Sequence, residues 1–116
     1  MKAPIYILDD DGEPIPETDP LKWAVWFQKA NKTRIVKQEK VGPYEVSTVF
    51  LGMDHNFSGG EPILWETMVF NAKREEQDID RCSGSREQAE AMHARTVQKW
   101  KDITDGPRPW PKRNIA

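Results

Sequence analysis

The chain has a single cysteine, Cys82, and only two histidines, His55 and His93. One cysteine excludes an internal disulfide and a zinc knuckle, so stability has to come from packing. No apolar run approaches the roughly 20 residues that a membrane-spanning helix requires, which argues against a membrane protein. The opening MKAPIYILDDDGEP turns acidic before an apolar signal segment develops, so the expectation is a cytoplasmic protein. No HExxH, G-x-S-x-G or Walker sequence is present, because the glycines of FSGGEP lack a Lys-Ser/Thr sequel. A net charge of −2 argues against strong general nucleic-acid binding, since phosphate contacts need a basic surface.

What is present fits one globular domain: 116 residues, 37% apolar, with five Trp and four Phe to build an aromatic core. The expected domain covers residues 1–104. A Pro-rich tail follows over 105–116, where Arg108, Lys112 and Arg113 outweigh Asp105 and make a basic end on an acidic body.

Along the chain, APIYIL reads as a strand, Asp11-Gly12 as a turn, and the stretch limited by Pro14 and Pro16 as an edge or irregular return. The run Asp9-Asp10-Asp11-Gly12 lacks EF-hand spacing and reads as a solvated turn. Asp19-Pro20 is a helix start, and Trp23, Trp26, Phe27 and Ala30 recur at helical spacing on one stripe, with Asn31 as a left-handed stop. KTRIVKQEK and YEVSTVFLGM form strands around Gly42-Pro43; the second is apolar on both faces and belongs at the centre of a sheet. PILWETMVF is the next strand, and residues 71–84 read as a polar surface connection. Ser85-x-x-Gln88 is a capping box that opens a helix to about Ile103, with Ala89, Met92, His93, Thr96, Val97, Trp100 and Ile103 facing inward. The resulting fold class is α+β: an antiparallel sheet of about four strands, two helices packed on one face, in the order β(β)αβββα.

The segments YEVSTVFLGMDHNFSGGEPILWETMVF, WAVWF and RCSGSREQAEAMH together resemble a family of small phage and prophage proteins that share a VSTVFLG-DH…ETMVF core. The resemblance spans roughly residues 5 to 97 and implies a phage or prophage origin; it carries over no catalytic residue. The chain departs from the family pattern at FNA after Val69, where glycines are common, and at Cys82-Ser83, where an aromatic residue often follows the arginine.

Asp54, His55, Glu66 and His93 supply the residue types of a divalent-metal site that would activate water for hydrolysis, but no spacing forces two ligands together. Each also has a structural reading. Asp54 accepts N–H groups within its own loop, His55 fixes loop geometry, Glu66 pairs with Arg34, Arg81 or His93, and His93 is a hydrogen-bonded core residue. A Ser-His-acid triad through Ser47 or Ser58 lacks its elbow, and Cys82 shows no sign of activation. The loop at 53–61 is long for a hairpin, which makes Asp54, His55, Asn56 and Phe57 binding candidates beside Glu66 and His93. Trp110, set between Pro109 and Pro111, is a further candidate for docking into an aromatic groove.

These readings converge on a phage accessory protein in the cytoplasm of an infected host cell. It is more a binder than an enzyme, needs no cofactor or metal, and takes a host or phage protein or a small ligand as its partner, with counter-defence as one use. Exposed aromatic residues leave room for an oligomer. The rival readings are a metal-dependent hydrolase or nuclease and a minor virion or assembly component.

Overall fold

A computed structural model of the chain describes residues 4–105, with elements in the order ββαββββα. β1 (Tyr6–Leu8) and β2 (Pro14–Pro16) pair antiparallel as a short ribbon. Between them, the Asp9 carboxylate accepts the N–H groups of Asp11 and Glu13, so the acidic run is a hydrogen-bonded turn. α1 (Pro20–Lys29) starts where Asp19-Pro20 predicts, with Asp19 Oδ1 accepting the Leu21 N–H at 2.9 Å. It ends at Ala30, and Asn31 is not the left-handed stop expected of it: among the described non-glycine residues, Arg74 has the positive φ.

β3 (Ile35–Val41), β4 (Tyr44–Phe50), β5 (Ile63–Phe70) and β6 (Glu76–Ser83) pair antiparallel in sequence order, and α2 (Arg86–Asp105) packs against all four. The α+β class and the antiparallel sheet hold, and β4 is central as its two apolar faces require. Residues 71–84 differ from expectation, because they contain β6 and are not only a surface connection. Asn71 builds the turn by accepting the N–H groups of Lys73 and Glu75, and Arg74 adopts φ 65°. β6 then directs Asp78, Asp80 and Cys82 towards α2, and Ile79 and Arg81 to the other face. Polar residues on both faces erase the period-two signal. The strand is held by side-chain bonds instead, with Lys99 Nζ and Trp100 Nε1 donating to Asp78 at 2.8 and 3.0 Å. The N–H groups of Ile79 and Arg81 are taken by the Asp78 and Asp80 carboxylates, which blunts this sheet edge.

Between sheet and α2 lie two apolar clusters. One contains Phe50, Leu64, Trp65, Ala89 and Met92 with Tyr6 and Leu8 from the ribbon; the other contains Val41, Val46, Val69, Val97 and Trp100. The inward stripe of α2 holds through Trp100, but Ile103 is exposed. The last turn overhangs the β3–β4 bend, where Thr104 packs against Gly42 instead. On the opposite face, Val49, Met68 and Phe70 are half-buried beside the Glu66–Arg81 and Glu45–Arg74 ion pairs, with Arg74 lying 4.6 Å above the Phe70 ring.

α1 is not a second layer beside α2. Its stripe of Trp23, Trp26 and Phe27 is half-buried and closes the end of the sheet. Trp23 Nε1 donates to the carbonyls of Tyr6 and Gly52, each at 3.0 Å, while Trp26 meets Phe50 edge-on at 6.0 Å. Gly52 has φ 78°, and a Cβ there would lie 2.9 Å from Phe27 Cε1. Gly52→Ala is therefore expected to lower stability by about 1–3 kcal/mol in urea denaturation. An unchanged midpoint would show that α1 does not depend on this close approach.

Candidate functional site

The loop joining β4 to β5, residues 51–62, is pinned at both ends. Leu51 N–H donates to Leu64 O at 2.7 Å and His55 N–H to Ile63 O at 3.0 Å, so pairing continues past the strand ends. The amino-terminal segment straps it from the side, through Tyr6 N–H to Gly52 O and Asp54 N–H to Pro4 O, both 2.9 Å. Asp54 Oδ1 accepts the N–H groups of Asn56 and Ile63 at 2.7 and 3.0 Å, which is the structural role open to a carboxylate in a bend. His55 Nδ1 bonds Met53 O at 2.9 Å, and Asn56 spends its amide on Glu61 O and the Ser58 N–H. Phe57 remains 91% exposed, with its ring 6.0 Å from that of His55.

Glu66 and His93 lie elsewhere. Glu66 faces away from α2 and accepts from Arg81 Nε at 2.8 Å, one of the three partners anticipated for it. His93 is on α2, 2% exposed, against the other side of the sheet. Asp54, His55, Glu66 and His93 are therefore not brought together, and no cluster of three or more metal-ligating His, Cys, Asp or Glu side chains occurs among the described residues. The one-site hydrolase reading loses its ligand set because Glu66 and His93 lie on opposite faces of the sheet and Asp54 and His55 lie in the loop beyond its end. Trp110 lies outside the described residues.

His93 instead completes a buried polar chain that the sequence reading missed. Thr67 Oγ1 lies 2.5 Å from Thr48 Oγ1, Thr48 Oγ1 lies 2.7 Å from His93 Nδ1, and His93 Nε2 lies 2.9 Å from Glu39 Oε1. A carboxylate only accepts, so Nε2 carries a proton and donates to Glu39. With neutral imidazole, Thr48 donates to Nδ1 and Thr67 donates to Thr48, which uses every donor in the chain. Protonation at Nδ1 would reverse those donations and leave the Thr67 hydroxyl proton without an acceptor in the chain. This donor inventory assigns the Nε2–H tautomer. Burial alone would raise the Glu39 carboxyl, but the hydrogen bond from His93 and the charge of Lys37, 3.5 Å away, outweigh it and hold the group below the usual carboxylate range.

Hydroxyl, imidazole and carboxylate are also the parts of a nucleophilic triad. Here the hydroxyl is on Thr48, which is 0% exposed and already committed to Thr67, so no substrate carbonyl has a path to it. The constellation aligns β3, β4 and β5 with α2. Cys82, whose thiol is pushed up by burial and then by the Asp80 charge, is likewise not an activated nucleophile.

Two surface features are better placed for binding. A cleft of about 560 Å³ opens beside the loop and is lined by Asn56, Arg81, Cys82, Ser83, Gln88 and Arg95, among others. Of the anticipated site residues that the structure describes, Asn56 alone lines it. The second feature is the outer side of α1, where Leu21, Val25 and Trp26 line an apolar hollow of about 490 Å³ between Lys22 and Lys29. Both sets escaped the sequence reading, because the first is assembled across three elements and the second flanks, at Trp26, an aromatic stripe read only as the core-facing side of the helix.

Thr48→Val keeps the shape and removes the central hydroxyl, which leaves His93 Nδ1 and Thr67 unsatisfied. The expected cost is about 1–3 kcal/mol by chemical denaturation. Glu39→Gln tests the outer end. Because the folded carboxyl is depressed, its contribution is present above the unfolded-state value and lost as pH falls through the folded one. The stability gap between wild type and Glu39→Gln should therefore close in acid; a gap that widens there would refute the assignment.

No protein-family model, no curated protein and no solved structure matches this chain.

Proposed function

We propose that this chain is a non-enzymatic phage accessory protein that acts in the cytoplasm of an infected host cell by docking onto a host protein through the outer side of α1. The observation that carries this reading is the exposure of Leu21 and Val25, 77% and 53%, on a helix whose other side already closes the sheet. A helix that buries one aromatic stripe needs no second apolar stripe for folding. Lys22 and Lys29 bracket the hollow, and α1 contains no acidic residue although the whole chain has a net charge of −2. The chemistry that complements it is an amphipathic segment with apolar anchors flanked by Asp or Glu. Resemblance to small phage and prophage proteins supports the setting, and obstruction of a host defence protein is one use for such docking.

Affinity capture with wild type, Leu21→Ser/Val25→Ser and Lys22→Glu/Lys29→Glu tests the reading. All three should unfold within a few degrees of each other, since exposed substitutions typically change stability by about 0.5 kcal/mol or less. The expected result is a host protein held by wild type and lost by both double variants. Retention of that protein by the variants would overturn the reading. So would a wild-type dimer that the same substitutions dissolve, because the face would then belong to a second copy.

A further inference from the structure

We infer that the cleft beside the loop is a binding site for a small organic anion, whose phosphate or carboxylate group is held by Arg95, with Arg81 adding positive charge at the rim. This surface shares no residue with the hollow on α1, so the inference stands apart from the docking proposed there. The argument is an inventory of donors. Arg95, on α2, lines the cleft and makes no hydrogen bond or ion pair among the described residues. Arg81, on β6, gives its Nε–H to Glu66, which leaves the terminal N–H groups of its guanidinium uncommitted.

Gln88 is oriented by the capping box. Its Oε1 accepts the Ser85 N–H at 2.9 Å, so the carbonyl side of the amide is spent and the NH₂ side is left over. Ser83 adds a hydroxyl with no partner among the described residues. Asn56, by contrast, has both amide ends engaged within the loop and acts as a wall. The cleft therefore gathers unspent donors, and the unpaired guanidinium of Arg95 makes charge-assisted bonds to an oxyanion the natural complement.

Its volume, about 560 Å³, falls within the range of small-molecule sites, and Ile63 and Ala91 give the body of a ligand an apolar surface to rest on. Glu61 is the acid that lines it, which disfavours polyanions and selects a ligand with a single anionic head. The elements that carry the donors are rigid: β6 is clamped to α2 through Asp78, and the loop wall is braced by Asp54. The backbone frame of the site is therefore fixed by the fold.

The test is a titration of the full chain with inorganic phosphate and, separately, acetate, followed by ¹H–¹⁵N correlation spectra. Saturable shifts should centre on Ser83, Gln88, Ala91 and Arg95, and the probe that saturates at lower concentration identifies the head group. Arg95→Gln is the clean variant because it breaks no protein bond, and it should weaken binding about tenfold or more. Glu61→Gln should strengthen it. Shifts that fail to saturate, that spread over exposed lysines, or that are unchanged in Arg95→Gln would overturn the inference.

Discussion

Thr48 donates one proton to His93 Nδ1, and the placement of α2 on the sheet depends on that bond. Burial of Phe50, Trp65, Val46 and Val69 supplies most of the drive to cover the sheet, but apolar contact has no direction and would tolerate a helix slid along its axis. A fully buried hydroxyl and a fully buried imidazole do not tolerate it, because separating them strands two polar groups away from water. Glu39 extends the constraint to β3 and Thr67 to β5, so three strands and a helix are registered through four side chains. Lys37 holds the exposed end of the chain charged.

The same rigidity shapes what the rest of the surface can do. The loop after β4 is braced by Asp54, strapped by the amino-terminal segment and capped by Trp23, so it serves as a wall of the neighbouring cleft and not as a moving lid. α1 rests on that strapped loop through Phe27 and Gly52, which leaves its other side facing solvent. The donors and apolar groups left on the surface are thus those that a tightly satisfied interior did not use.

Much of the architecture was legible in the chain because local chemistry and tertiary role agree. Asp19-Pro20 caps α1, Ser85-x-x-Gln88 caps α2, and the alternation in β4 and β5 grouped Val46, Thr48 and Phe50, and Trp65, Thr67 and Val69, each on one face, which the structure shows to be the covered one. β6 was illegible because its inward residues are aspartates paired to Lys99 and Trp100, and a sequence pattern counts them as polar. His93 was readable as a core histidine, but its partners Thr48 and Glu39 lie 45 and 54 residues away, beyond any spacing rule. The cleft was invisible for the same reason: Arg81, Gln88 and Arg95 belong to two elements, and what matters about them is which of their bonds are unmade.

The aspartates of β6 also bear on how copies of this chain coexist. A sheet edge with vacant donors is a template that neighbouring copies can extend strand by strand. Asp78 and Asp80 fold back onto the N–H groups that would seed such growth. This margin of the sheet is therefore closed to strand addition at those two positions.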